Sequence, residues 1–244
     1  MIRVAILVLL CCVAPGALAA DDFRYRAPGA FAPNQQGQPR ANDRRVYAPD
    51  IAFPIRFDPA SGESVVLNSQ VYGKSPQCAA ANYAMPWSDT FCEARGWPMG
   101  MCPNGKGHQG VDIRPVRCRN NDSEVVAVED GTIDRVTAHT TIGLVGGQGR
   151  HWRYMHVGPA TVLVRPGQKV RKGQVLARVS NILSGIPNTT YHLHLDLSGN
   201  IAGPGSRNVY LPPYSSLVDA YRRSVGLPST VVNGDLVRDP GHEL

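Results

Sequence analysis

The run His192-Leu193-His194-Leu195-Asp196-Leu197 alternates polar and apolar residues without a break, and it limits the fold more than any other stretch. A period of two belongs to a β-strand with one buried face. On such a strand the three leucines turn to a core, and His192, His194 and Asp196 share the opposite face. Ionisable groups on one face of a half-buried strand read as the wall of a cleft. Two imidazoles and a carboxylate are also donors that zinc accepts. A His-x-His pair occurs as ordinary polar surface too, so the rest of the chain must supply the remaining parts.

Strand signals recur upstream. Val65–Leu67 running on to Val71–Tyr72 reads as the first strand. Val125–Val128, the Asp130-Gly131 turn and Thr132–Val136 read as a hairpin. Trp152–Val157 and Thr161–Val164 follow, and then Val164 to Leu176, where Gly167 and Gly173 punctuate short apolar segments. The expected fold is mainly β, an antiparallel sheet or barrel-like sandwich. One short helix is expected near the C-terminus, Ser215–Val225, with Leu217, Val218, Tyr221 and Val225 on one face.

The first nineteen residues read as a leader: Arg3, an apolar Val4–Val13 and the small-x-small Ala17-Leu18-Ala19. Pro15 and Gly16 break a run already short for a bilayer span, so no stable membrane span is expected after cleavage. Export to the periplasm is the expectation, with secretion or attachment to the cell wall as the alternative. Cleavage leaves Cys78, Cys92, Cys102 and Cys118, an even set that reads as two disulfides in an oxidising compartment. The expected pairing, on sequence proximity, is Cys78–Cys92 with Cys102–Cys118. A zinc site built from these cysteines is the competing reading. The net charge of +6 suits a solvated surface or an acidic polymer outside the membrane. No basic run is interleaved with aromatics, and no nucleic-acid partner is expected.

The domain plan is a signal peptide 1–19, a Pro/Gly-rich arm 20–62, a folded unit 63–200 with a cysteine-bearing insertion 75–104, and a C-terminal extension 201–244. The arm is rich in Pro, Gly, Asn, Gln and Arg, a composition that buries little. It is expected to be extended or partly disordered, and it could offer a polar residue to the site and hold it latent.

His108 and Asp112 add a second pair of donors. On a flat strand they would stand roughly 13 Å apart, whereas zinc needs its donor atoms about 2 Å from itself. The chain must therefore curl between them, and Gly105, Gly107 and Gly110 allow it. With His194 this makes a nitrogen and oxygen set that suits zinc. His192 and His156, in Tyr154-Met155-His156, remain for proton work. Asp196 is a candidate to orient one of the histidines, against the plainer reading of a solvated acid. His139, His151 and His242 fall outside the pattern, and His242 sits in a tail expected to be disordered.

His-x-x-x-Asp, then Tyr-x-His, then Val-x-x-Gly-Gln-x-Val-x-x-Gly-Gln, then His-x-His resembles the lysostaphin-like zinc endopeptidases over roughly Gly105 to Leu197. The resemblance implies a small antiparallel β fold, of the kind called a barrel-sandwich hybrid, with one Zn2+ in its cleft. His108, Asp112 and His194 would be its ligands. His156 and His192 would be catalytic, activating water and stabilising the tetrahedral intermediate. The implied partner is peptidoglycan, cut at glycine bridges or at cross-links between stem peptides. Tyr191, Leu195 and Asp196 stand where the family has Pro, Phe and Glu, and the insertion is not a general family feature. Two other readings are a non-catalytic wall-binding or hydrolase-activating module on the same fold, and a lipoyl-type carrier suggested by Val164–Val179.

Overall fold

The computed structural model describes residues 22–74, 76–137, 140–200 and 208–244. The leader 1–19 and His139 lie outside them. Among the described residues the chain forms β1 (Val66–Leu67), β2 (Val111–Arg114), β3 (Glu124–Val126), β4 (Gly131–Thr137), β5 (Thr141–Val145), β6 (His151–Met155) and β7 (Lys169–Val170). There follow β8 (Val175–Arg178), β9 (Ile182–Leu183), β10 (Ile186–Pro187), β11 (Leu193–Asn200), β12 (Asn208–Leu211), helix α1 (Tyr214–Ser224), β13 (Val231–Val232) and β14 (Asp235–Leu236). The main sheet runs β1-β2-β11-β6-β5-β4-β7, all antiparallel, with β12 on β11. It does not close into a barrel among the described residues. No helix among them is long and apolar enough to cross a membrane.

β11 is the strand of the alternating run, and it pairs with β2 on one side and β6 on the other. Leu193, Leu195 and Leu197 are wholly buried on its inner face, joined by Val111, Ile113, Trp152 and Tyr154 from the neighbouring strands. The register sets His194 opposite Asp112 on β2 and opposite Met155 on β6, which brings two donors from distant sequence side by side.

The hairpin read from Asp130-Gly131 does not form. β3 pairs with β8, and β4 pairs with β5 and β7. Gly131 lies inside β4, where a Cβ would fall 2.3 Å from the carbonyl oxygen of Val145. It is needed for close approach, and its resemblance to a turn glycine is misleading. Thr161–Val164 is not a strand either; Pro159–Thr161 is a 3-10 turn. The expected first strand stops at Leu67, and residues 68–74 form a loop.

The N-terminal arm departs most from expectation. Phe23, Tyr25, Ile51, Phe53 and Ile55 are buried in the main core. Phe23, Phe57 and Trp87 pack on Tyr221 of α1 with ring centroids 4.6, 5.1 and 4.7 Å away. A fully buried Phe contributes about 1.5–3 kcal/mol, so a few well-placed aromatics hold a segment that has no periodicity. The expected helix is present, with Leu217, Val218 and Tyr221 buried and Gly226 (φ 79°) just past its end. The C-terminal tail is also tied down: His242 Nδ1 lies 2.8 Å from the Phe23 carbonyl, and Tyr25 N–H bonds the His242 carbonyl at 3.0 Å.

The cysteines do form two disulfides, but in another pairing: Cys78–Cys118 and Cys92–Cys102, with Cα separations of 5.5 and 5.4 Å. Sequence proximity decides little, because doubling a loop costs only about 0.6 kcal/mol. What decides is which Cα atoms the fold brings within bridging range. The bridge across 40 residues constrains the unfolded chain by about 4 kcal/mol in the chain-entropy model, against about 3 kcal/mol for the one across 10.

Candidate metal centre and its cleft

His108 sits in the loop ahead of β2, bonded as a backbone pair to the Cys92–Glu93 segment: His108 N–H to the Glu93 carbonyl at 2.9 Å, and Cys92 N–H to the His108 carbonyl at 3.0 Å. The chain then curls through Gly110, whose Cβ, if it had one, would lie 2.2 Å from the Leu195 carbonyl oxygen. That close pass lets His108 turn back over Asp112. His108 Nε2 stands 3.4 Å from Asp112 Oδ1, His194 Nδ1 stands 3.2 Å from the same oxygen, and the two imidazole nitrogens are 2.9 Å apart. In a tetrahedral zinc site with bonds of about 2.0–2.1 Å, neighbouring donors stand about 3.3 Å apart. The three buried residues match that spacing and form a group able to hold a metal ion.

Each ring is held by its other nitrogen. His108 Nδ1 donates to the Thr90 carbonyl at 2.8 Å, and the Thr90 hydroxyl accepts the Asp112 backbone N–H at 3.0 Å. Thr90 thus positions two of the three donors. His194 Nε2 lies 3.1 Å from Asp196 Oδ2, and Asp196, 2% exposed, is buried against that ring and is not a solvated acid. Arg153, its cross-strand partner on β6, donates to Asp196 from Nε at 2.7 Å and to Gln109 at 2.9 Å.

His156 and His192 face the same cleft with ring centroids 4.5 Å apart. His156 Nδ1 donates to the Ile182 carbonyl at 2.8 Å and His192 Nδ1 to the Thr190 carbonyl at 2.9 Å. In the neutral rings this leaves the Nε2 lone pairs free. His192 Nε2 is 3.6 Å from Asp112 Oδ1. His156 adopts φ 63°, a conformation rare for non-glycine residues and common at functional positions. The Ser180 N–H and hydroxyl, 2.7 and 2.9 Å from the His156 carbonyl, hold it there.

Burial dominates the electrostatics. It pushes His156 down to about 4 and His192 well below the ordinary imidazole range. Burial opposes charge on His194 as well, but hydrogen bonds to Asp112 and Asp196 prevail and hold it at about 9. Burial alone would raise Asp112; the surrounding His108, His192 and His194 hold its carboxyl well below the usual range. The group therefore separates into a part that favours positive charge, at His194 between two carboxylates, and two neutral imidazoles.

The cleft encloses about 510 Å³, and Arg95, Trp97 and Tyr210 complete its walls. Trp97 is 61% exposed, on the loop closed by Cys92–Cys102. The described residues of the arm do not line this cleft. The arm's Gln36 carbonyl instead accepts the Ala94 N–H at 2.7 Å, behind the wall. His151 lies at the start of β6, away from the cleft. Sequence reasoning missed Thr90, Arg153, Arg95 and Trp97. None carried a legible signal: Arg153 stands three residues before His156, an odd offset that alternation would put on the opposite face, and the two share the cleft because β6 ends at Met155 and His156 takes φ 63°.

Residues 106–203 match the family model of Peptidase family M23. Among solved structures the chain is similar to lytM of Ruminococcus gnavus, at 18% identity over 71% of this chain and 61% of that one, with a TM-score of 0.44. It is also similar to the catalytic domain of lysostaphin from Staphylococcus simulans, at 23% identity over 52% of this chain and 92% of that one, with a TM-score of 0.37. A third similarity is to a zinc containing peptidase from Vibrio cholerae, at 23% identity over 41% of this chain and 31% of that one, with a TM-score of 0.31. The chain spans 61% of the length of the first of these. No curated protein matches the chain.

Proposed function

We propose that the chain, whose residues 106–203 match the family model of Peptidase family M23, is a zinc-dependent endopeptidase that hydrolyses the peptide cross-links of bacterial peptidoglycan. The observation that carries this is the His108, Asp112 and His194 group, whose donor atoms lie 2.9 to 3.4 Å from one another beside two neutral histidines. These three residues would hold the metal. A zinc ion there would supply Lewis-acid polarisation of the peptide carbonyl and bring the pKa of a water molecule near 7.

The chain's own groups do the rest. Asp196 and the Thr90 carbonyl fix the two imidazoles so that the donor nitrogens converge without reorganisation. His156 and His192, neutral at pH 7 and with Nε2 unbonded to backbone, can take the proton of the attacking water at that atom. Returned from Nε2 to the leaving nitrogen, the same proton leaves a carboxylic acid, an amine and the starting imidazole, and the acid then gives its own proton to the amine or to solvent. The rings are 4.5 Å apart, so protonating one disfavours protonating the other, and a single proton moves per cycle.

Two disulfides support an oxidising location, and with the leader pattern of residues 1–19 we place the protein in the periplasm. A non-catalytic wall-binding or activating module is the second reading; the intact donor set and both spare histidines count against it. The test is digestion of purified cross-linked peptidoglycan with fragments read by mass spectrometry. Loss of cross-linked dimers is expected, and the masses released identify the bond. Unchanged dimers under zinc-replete conditions would favour the non-catalytic module.

A further inference from the structure

The described residues of the arm stay out of the cleft, yet they bond the segment that holds two of the metal donors. Within residues 89–94, Thr90 bonds the His108 ring and the Asp112 backbone, and the Glu93 carbonyl takes the His108 N–H. Whatever fixes this segment therefore fixes those donors. Its turn comes from Asp89, which is buried. Asp89 Oδ1 accepts the Phe91 N–H at 2.9 Å, an Asx turn that aims the Thr90 carbonyl and hydroxyl at the site. Asp89 Oδ2 accepts the Gly29 N–H of the arm at 3.0 Å.

Gln35 of the arm spans both ends of that turn. Ala32 N–H bonds Gln35 Oε1, which turns the amide so that its two N–H donors face the segment. Gln35 Nε2 donates to the Asp89 carbonyl at 3.0 Å and to Glu93 Oε1 at 3.1 Å. The side chain is thus a clasp that closes the turn around Thr90. Glu93 is wholly buried, and its other oxygen takes Arg95 Nη2 at 3.0 Å. The same Nη2 lies 3.9 Å from Asp112 Oδ2. Beyond the clasp, Ala94 N–H bonds the Gln36 carbonyl at 2.7 Å, and Gly37 pairs with Glu93. A Cβ at Gly37 would fall 2.6 Å from the Cys92 carbonyl oxygen, so the arm lies flush on the segment.

We propose that the arm is a working part of the metal centre, with Gln35 as a positioning residue. It closes the 89–93 turn so that Thr90 and Glu93 keep His108 and Asp112 at the spacing zinc requires. This rests on reading His108, Asp112 and His194 as zinc donors. Donors that already converge lose little freedom when an ion arrives, so loosening the groups behind them costs affinity. The expectation is the reverse of a latency device: freeing the arm weakens the site and does not unmask it.

The experiment measures the zinc dissociation constant of the full chain by competition with a chromophoric chelator, together with the thermal midpoint of the zinc-free form. Gln35→Leu removes both donors of the clasp, and Gln35→Glu sets a carboxylate against the Asp89 carbonyl and Glu93. Each should weaken zinc binding about tenfold or more, the range for loss of a group behind a metal ligand. Phe57→Ala is the control. Phe57 belongs to the same arm but stacks on Tyr221, so this variant should lower the thermal midpoint and leave zinc affinity unchanged. That contrast separates positioning from general loosening of the fold. Zinc affinity unchanged in both Gln35 variants, or lost equally in Phe57→Ala, overturns the positioning role. Tighter zinc binding in the Gln35 variants overturns it too, in favour of an arm that restrains the site. A wild-type chain that takes up no zinc defeats the reading of the donors, and the proposal with it.

Discussion

A His194→Ala chain should hold no stoichiometric metal and should hydrolyse cross-linked peptides at about a thousandth of the wild-type rate or less. His194 is the donor that joins the two halves of the site, with Nδ1 near Asp112 and His108 and Nε2 on Asp196. Removing it leaves one imidazole and one carboxylate, a pair that zinc does not hold tightly. The β11 backbone keeps its pairing to β2 and β6, and Arg153 still bonds Asp196. Circular dichroism should therefore be unchanged while metal content, read by mass spectrometry of the desalted protein, falls to background. Asp112→Asn should behave in the same way, since it keeps the shape and loses the charge. Metal retained at one equivalent in either variant would remove both residues from the donor set.

The second large effect has the opposite pattern. His156→Ala and His192→Ala should each retain one metal per chain and lose about 10²- to 10⁴-fold in kcat, the range for a positioned proton-transfer group. Neither residue belongs to the group able to hold the metal. Each has a ring nitrogen tied to a carbonyl and the other turned to the cleft. Because the two act on one proton, the double variant should lose far less than the product of the single effects. Coincident loss of metal and activity in His192→Ala would instead place that residue among the ligands, a question its 3.6 Å separation from Asp112 makes worth asking.

The site and the fold differ in how much of each is legible in the amino acids. Leucines at 193, 195 and 197 could hardly be anything but a strand with one buried face, and that strand proves central. The curl between His108 and Asp112 follows from donor chemistry alone: the spacing is too wide for a shared ion unless the glycines bend it. The acceptors that fix the rings are another matter. Thr90, Ile182 and Thr190 use backbone carbonyls, which every residue possesses, so composition carries no trace of them.

The arm misled for a related reason. Phe23, Tyr25, Phe53 and Phe57 are separated by irregular Pro- and Gly-rich turns, so no period marks them as core, yet the three phenylalanines pack against Trp87 or Tyr221 and Tyr25 stacks on Phe23. The Asp130-Gly131 pair gave a local hairpin signal that long-range pairing of β3 with β8 overrode. The same limit applied to the disulfides, whose partners are chosen by tertiary proximity. Cys92 lies against the His108 loop because the backbone pair there demands it, and Cys102 follows.

The most direct test of the central claim is a zinc titration of the metal-stripped chain, with release of cross-linked muropeptides as the readout. The stripped chain should release nothing without metal, recover in proportion to added zinc, and saturate at one equivalent per chain. Release that proceeds in the stripped chain at the zinc-loaded rate would contradict that claim.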